Sequence, residues 1–241
     1  MAAKTRIEWT EMTWNPVTGC TKVSQGCKYC YAERMAHRLK AMGNPRYLNS
    51  FDVTLHEDLI DAPRCWKRPR HVFVNSMSDL FHEAIPDGFI RRVFTTMADC
   101  PQHQFQVLTK RSERLRQLSR ALPWPRNVWM GVSVEDATVM DRIEDLRSVP
   151  AAVRFLSCEP LIGPLEHLPL ERLHWVIAGG ESGPGARPLC REWVYSLRDQ
   201  CRAANVAFFF KQWGGVRKDL TGRELDGKTY DEMPFTLSIP R

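Results

Sequence analysis

Three cysteines stand within eleven residues of one another. They are Cys20, Cys27 and Cys30, in the run Gly19-Cys20, six further residues, then Cys27-Lys28-Tyr29-Cys30-Tyr31. Thiolates are ligands for soft metal ions and for iron–sulfur clusters. Four of them would close a tetrahedral zinc site or saturate a cubane. Three can hold three irons of a [4Fe-4S] cluster and leave the fourth iron open to a substrate or cofactor. A zinc site would need a fourth ligand. His37 lies seven residues after Cys30, an awkward reach of about two turns along a helix that starts at Tyr31. A dithiol pair made of Cys27 and Cys30 is a third reading, which the presence of Cys20 weakens.

Such a loop needs a scaffold, and a βα rhythm supplies one. Short apolar, β-branched or aromatic runs recur at 71–75, 105–109, 127–132, 153–157, 174–178 and 206–210. A first strand is expected between Thr13 and Thr18, just ahead of Cys20. Helical patterns fill the gaps at 31–42, 87–99, 112–122, 136–149 and 192–204, with Gly43-Asn44-Pro45 as a stop signal and Asp136 as an N-cap. Strands separated by helices pair in parallel. The expected fold is therefore α/β, a partial or complete (β/α) TIM-like barrel of six to seven parallel strands. A doubly wound open sheet is the alternative. In either architecture the site lies at the C-terminal ends of the strands. One domain over 1–241 is expected, with 43–70 as an insertion or lid and 213–241 as a C-terminal extension.

The residues following each expected strand are polar. They are Asn75, Ser76 and Asp79, then Lys110, then Ser133 and Glu135, then Cys158 and Glu159, then Gly179, Gly180 and Glu181, and last Lys211, Gln212 and Trp213. Acids, amides, hydroxyls and lysines at every such edge, on the same end as three cysteines, are what a polar active site needs. The run Gly179-Gly180-Glu181-Ser182-Gly183-Pro184-Gly185 permits close backbone approach to a ligand and offers N–H groups to an anion. It is neither a Walker A loop nor a dinucleotide fingerprint. Trp213 could stack on a base and Lys211 and Gln212 could bind substrate.

Composition narrows the partners. The chain of 241 residues carries a formal net charge of +6 and 43% apolar residues, enough for a sizeable core. Basic residues cluster at Arg64-Cys65-Trp66-Lys67-Arg68-Pro69-Arg70 and at Lys110-Arg111. Together with eight tryptophans, this charge permits a nucleic-acid partner. No apolar run approaches a membrane span, and Met1 to Arg6 has no leader-like apolar stretch. A cytoplasmic protein with free thiols or metal ligands is expected, without a membrane partner.

Cys27-Lys28-Tyr29-Cys30 resembles the Cys-x-aromatic-Cys end of the radical S-adenosylmethionine (SAM) motif. In that superfamily the motif follows the first strand of a partial barrel. The usual motif has three residues between its first two cysteines, where this chain has six. More narrowly, Trp14-Asn15-Pro16-Val17-Thr18-Gly19-Cys20 and Gly26-Cys27-Lys28-Tyr29-Cys30-Tyr31-Ala32-Glu33 resemble a radical-SAM-like phage and bacterial family with a three-Cys motif. That likeness extends through Phe209-Phe210-Lys211-Gln212-Trp213-Gly214-Gly215.

The resemblance implies that Cys20, Cys27 and Cys30 ligate a [4Fe-4S] cluster and that SAM occupies the open iron. It implies an electron donor protein and a hydrogen atom abstracted from a substrate, with a nucleic acid or nucleotide favoured over a peptide or small metabolite. Tyr29 would pack on the cluster or the adenine. Asn75, Ser76 and Asp79 would accept from the SAM amino group, Lys110 would hold its carboxylate, and Ser133 and Glu135 would meet the ribose. Glu159, Gly179, Gly180 and Glu181 complete the expected cofactor edge. Cys158 would give a hydrogen atom to a product radical, the role a thiol plays in one enzyme of that superfamily.

Overall fold

The expected strands all form, and their order in space is their order in sequence. The computed structural model describes residues 3–5 and 7–234. The main sheet runs β1 (Ala3–Lys4), β2 (Met12–Trp14), β5 (His71–Val74), β6 (Gln104–Thr109), β7 (Val128–Ser133), β8 (Val153–Cys158), β9 (Trp175–Gly179) and β10 (Ala207–Gln212). Only β1 is antiparallel to its neighbour; the other seven strands are parallel. A small second sheet pairs β3 (Val17–Thr18) with β4 (Thr54–Leu55).

Helices α1 (Tyr31–Ala41), α2 (Asp87–Ala98), α3 (Ser112–Leu118), α4 (Asp141–Arg147) and α5 (Arg191–Ala203) form the crossovers, and α6 (Lys218–Thr221) follows the last strand. Their buried faces come from helical spacing. On α2, Phe89, Ile90, Val93, Phe94 and Met97 are all buried. They join the larger core between sheet and helices, with Val72, Val107, Val132, Leu156 and Val176 of the strands. Gly43 takes a left-handed φ of +72° just past α1, as the stop signal requires. Asp136 caps a short 3₁₀ turn, accepting from Thr138 N at 2.9 Å, and α4 begins after that turn.

The sheet is curled. Trp9, just before β2 near one edge, contacts Trp175 of β9, near the other, with ring centroids 6.1 Å apart. Trp9, Phe73, Trp129, Phe155, Trp175, Ile177 and Phe209 make a second core on the inner side, at the lower end of the barrel. On β7, β8 and β9 these are the odd-numbered residues, whereas Leu156, Cys158 and Val176 face the helices. An open half-barrel has two edges to protect. At one, β1 pairs with β2. At the other, the C-terminal segment runs back along β10: Phe210 N donates to Tyr230 O at 2.9 Å, and Trp175 Nε1 reaches Glu232 O at 2.8 Å. The expected C-terminal extension is thus an edge cover as far as 234, and 235–241 lie outside the described residues.

The insertion at 43–70 lies against both the barrel wall and the cysteine loop. It packs on the outer side of β2 and α2, where Trp14 Nε1 donates to Leu59 O at 2.8 Å and Arg92 pairs with Glu57 at 2.6 Å. Phe51 O accepts from Cys20 N at 3.1 Å, and Gly19 stands where a Cβ would lie 2.2 Å from Asp52 O.

Candidate active site

Strand alternation builds the site. Above the aromatic inner core, the residues pointing inward are Ser133, Ser157 and Gly179, and Glu135, Glu159 and Glu181 follow just past the strand ends. Lys110 and Lys211 join them from β6 and β10. Lys110 Nζ lies 2.5 Å from Glu135 Oε1, and Lys211 Nζ lies 2.8 Å from Glu159 Oε1. Ser157 Oγ donates to Glu159 Oε2 at 3.1 Å. The mouth therefore holds two lysine–glutamate pairs, one between the ends of the neighbouring β6 and β7 and one reaching across β9 from β10 to the end of β8. Gly179 leaves room for the second, since a Cβ there would lie 3.2 Å from Glu159 Oε1 and 3.4 Å from Lys211 Cβ.

The cysteine loop is seated on this ring of charges. Ser24 Oγ donates to Glu135 Oε1 at 2.9 Å, and Arg142 Nη1 reaches the other carboxylate oxygen at 3.0 Å. Burial pushes the Glu135 carboxyl up. The charges of Lys110 and Arg142, with the hydrogen bonds from Lys110 and Ser24, outweigh it and hold the group below the usual carboxylate range. On the other side, Arg111 Nη1 points at Cys20 Sγ at 3.5 Å and Arg111 Nη2 donates to Thr21 Oγ1 at 2.8 Å. Burial, then the Asp79 charge, pushes the Cys20 thiol up to about 11, against the pull of Arg111. Burial also raises Cys30, and the Cys27 charge adds to both Cys20 and Cys30.

A loop of glycines straps the cysteine loop down. Arg187 forks onto Glu181, Nε to Oε2 at 2.9 Å and Nη2 to Oε1 at 2.7 Å, while Nη2 also donates to Gln25 O at 3.0 Å. Its guanidinium lies 5.6 Å from the centre of the Tyr29 ring. Arg34 of α1 donates to Ser182 O at 2.6 Å and to Pro184 O at 3.0 Å. The glycines permit these approaches: a Cβ on Gly183 would lie 2.6 Å from Arg34, on Gly185 3.0 Å from Tyr29, and on Gly180 2.0 Å from Trp213 O. The N–H groups of Gly180 and Gly183 are bonded to Gln212 O and Gly215 O. Those two N–H groups are thus spent within the protein, and Tyr29 meets Gly185 and Arg187.

The remaining expected residues fall into two groups. Asn75 has a left-handed φ of +60° and ties β2 to β5; its Oδ1 accepts from Val17 N at 3.4 Å, while its buried Nδ2 has no protein partner. Ser76 O accepts from the Tyr31 hydroxyl, and Ser76 Oγ donates to Asn15 Oδ1 at 3.2 Å. Asp79 is occupied: its oxygens accept from Thr109 Oγ1, Lys110 N, Phe81 N and Arg111. It positions Arg111 and the end of β6.

Two expected residues, Cys158 and Gln212, are turned away from the mouth, and Trp213 packs back onto β10 at its rim. Cys158 is fully buried in the core between sheet and helices, on the opposite strand face from Ser157 and Glu159. Burial drives its thiol well above the ordinary range. Gln212 is buried and donates back to Gly180 O at 3.0 Å. Trp213 packs edge-on to Phe210 at 4.9 Å, its Nε1 donating to Glu224 O at 2.9 Å. His37 is engaged with Ser50 Oγ at 2.7 Å. Among the described residues, no three of His, Cys, Asp and Glu are arranged to hold a single metal ion. Three thiols that each serve a different iron have no need to converge on one point.

Sequence reading missed Ser24, Arg34, Arg111, Arg142 and Arg187, which fix the loop, and Tyr31. Tyr31 is 48% accessible, yet the protein packed around it pushes its phenol well above the ordinary range. Its hydroxyl anchors the start of α1 to Ser76, just past β5.

A curled parallel sheet with its helices outside is a partial (β/α) TIM-like barrel. Among solved structures it is similar to spore photoproduct lyase complexed with dinucleoside spore photoproduct, at a TM-score of 0.51 and 12% identity over 75% of this chain. A cysteine-to-serine mutant of that lyase is similar at a TM-score of 0.51 and 14% identity, also over 75% of this chain. The chain spans 58% of the length of either. None of the curated proteins matches it in sequence. Residues 4–234 match the family described as Protein of unknown function (DUF5131), and the chain belongs to that family.

Proposed function

We propose that this protein is a radical SAM enzyme that acts on a nucleic acid or nucleotide. The observation that carries the reading is the placement of the three-cysteine loop. It follows β2, the first parallel strand, and is seated by Ser24 and Gly26 on Glu135 at the C-terminal ends of the strands. The donor set suits a [4Fe-4S] cluster held by Cys20, Cys27 and Cys30: three free, partly accessible thiols on one loop, the ligand type such clusters take. When bound, such a cluster and SAM supply reductive cleavage of the sulfonium and a radical that takes a hydrogen atom from the substrate.

The chain's own residues bind and orient. Lys110 and Lys211 are cations at the mouth whose carboxylate partners can be exchanged for a ligand's anionic groups. Glu135 and Glu159 then become free to accept from amino or hydroxyl groups. Ser133 and the unpartnered Nδ2 of Asn75 add to the polar set. Tyr31 shields the mouth from solvent at the start of α1. Arg187 and Arg34 hold the cysteine loop and the loop after β9 together.

Two features support the substrate class: the net charge of +6, and the dinucleoside carried by the structurally similar lyase. The chemistry also requires an electron donor protein. Anaerobic reconstitution with iron and sulfide tests the cluster. About four irons per chain are expected, and the count should collapse when the three cysteines are replaced by alanine. One zinc per chain and no bound iron would exclude the reading.

A further inference from the structure

The loop after β9 and the segment after β10 form one side of the mouth, and that side gathers several cations. Arg34 spends its guanidinium on two backbone carbonyls, of Ser182 and Pro184. Lys28 Nζ lies 5.3 Å from the centre of the Tyr29 ring, and Arg191 Cζ lies 5.6 Å from that of Trp213. Arg217 is exposed two residues beyond Gly215, whose N–H bonds Glu181 O at 2.7 Å. Among the described residues, Lys28, Arg34 and Arg191 have no ion-pair partner. Of the carboxylates nearby, Glu181 is paired with Arg187 and Glu33 with Lys22, while Glu192, bonded by the Cys190 thiol, leaves one negative charge beside Arg191.

We propose that Lys28, Arg34, Arg191 and Arg217 form a track for the phosphate backbone of a nucleic-acid strand, along the rim where the cysteine loop meets the loop after β9. The track rests on the reading of the mouth as an active site for nucleic acid. A cation laid on an aromatic ring is partly immobilised before it binds, which lowers the entropy lost on meeting a phosphate. A strand held on this rim has its nearest residue at the open mouth, beside Lys211 and Lys110. The basic run of Arg64 to Arg70, the clearest basic signal in the sequence, belongs to the other end of the barrel. Arg70 O accepts from Gln104 N at 2.8 Å, where β5 and β6 begin, and Arg64 is paired with Asp61 and Asp99.

The two ends are separable by experiment. Binding of a fluorescein-labelled single-stranded oligonucleotide to the full chain, without cluster, is followed by anisotropy at several salt concentrations. The combined variant Lys28→Glu, Arg191→Glu, Arg217→Glu is expected to weaken binding at least about tenfold and to lower the slope of log K against log salt by about 2. The neutral set Lys28→Gln, Arg191→Gln, Arg217→Gln should show the same trend, smaller, with an unchanged circular dichroism spectrum. Lys67→Glu, Arg68→Glu, Arg70→Glu should bind like the parent.

Parent-like binding by the rim variant overturns the track. So does loss of binding in the Lys67 set, or a preference of the parent for polyglutamate over the oligonucleotide. SAM cleavage is measured separately on reconstituted protein. Cleavage without oligonucleotide binding removes the track alone. Binding without cleavage removes the enzymatic reading and leaves the rim as a nucleic-acid surface.

Discussion

Gly26, one residue before Cys27, stands against the Glu135 carboxylate: a Cβ at Gly26 would lie 2.4 Å from Glu135 Cγ and 2.5 Å from its Oε1. The cysteine loop is therefore pressed onto the end of β7 through its glycine. Glu135 cannot retreat, because Lys110 and Arg142 grip both of its oxygens. Gly26→Ala is expected to lift the loop at a cost of about 1–3 kcal/mol. Iron retained after reconstitution should fall by more than half, while the far-ultraviolet spectrum stays that of the parent. Full iron retention in this variant would show that the loop is free to sit elsewhere.

Arg187 forks onto a nearly buried carboxylate, with side-chain exposures of 27% for Arg187 and 5% for Glu181. Removing the arginine leaves Glu181 without its cation. Arg187→Ala is expected to cost about 3–5 kcal/mol, discounted toward the lower end because Arg187 keeps some solvent. Loss of the bond to Gln25 O should also expose the cysteine loop to limited proteolysis before the barrel unfolds. A midpoint of urea unfolding within error of the parent would contradict the strap.

Acid should weaken the seat of the loop. Folding holds the Glu135 carboxyl below its usual range, so the folded state favours its ionised form. That contribution is fully present above the unfolded carboxylate value of about 4.3 and is lost as the pH falls from there through the folded value. Glu135→Gln should be less stable at neutral pH by about 1–3 kcal/mol. It should also lose less stability than the parent on acidification below about pH 4.3. Parallel stability curves for parent and variant would show that Glu135 is not the responsible group.

Cys158 should be chemically silent. It is fully buried and faces the helices, with a thiol driven well above the ordinary range. In the cluster-free chain, iodoacetamide should modify the exposed Cys65 first and leave Cys158 and Cys201 until unfolding. Cys158→Ala should cost about 1–2 kcal/mol as a small cavity, with the products of turnover unchanged. A changed product pattern would restore this thiol to the chemistry.

The barrel was legible because a parallel strand covered on both faces is a continuous apolar run that ends in polar or glycine residues. His174-Trp175-Val176-Ile177-Ala178 followed by Gly179-Gly180 is such a run, and β9 covers Trp175–Gly179. Lys110, Ser133, Glu135, Glu159 and Lys211 could be read as candidates because every βα unit delivers its strand end to the same side. Reading the alternation one residue further would have turned Cys158 outward, since Ser157 and Glu159 bracket it. At Trp213 the alternation itself fails, because the register of β10 shifts between Phe210 and Gln212.

The arginines that fix the cysteine loop left no local trace. Arg34 meets Ser182 across 148 positions and Arg187 meets Gln25 across 162. A long side chain's partner depends on how the barrel curls. The packing of the glycine run was hidden for a related reason: its glycines make room for Arg34, Tyr29 and Trp213, all remote in sequence.

The most direct measurement is the fate of SAM on the reconstituted, reduced protein under anaerobic conditions. The account predicts 5′-deoxyadenosine and methionine above the background of buffer and reductant. It also predicts their loss when Cys20, Cys27 and Cys30 are replaced by alanine. An iron-loaded protein that leaves SAM intact, or equal cleavage by the alanine variant, would contradict it.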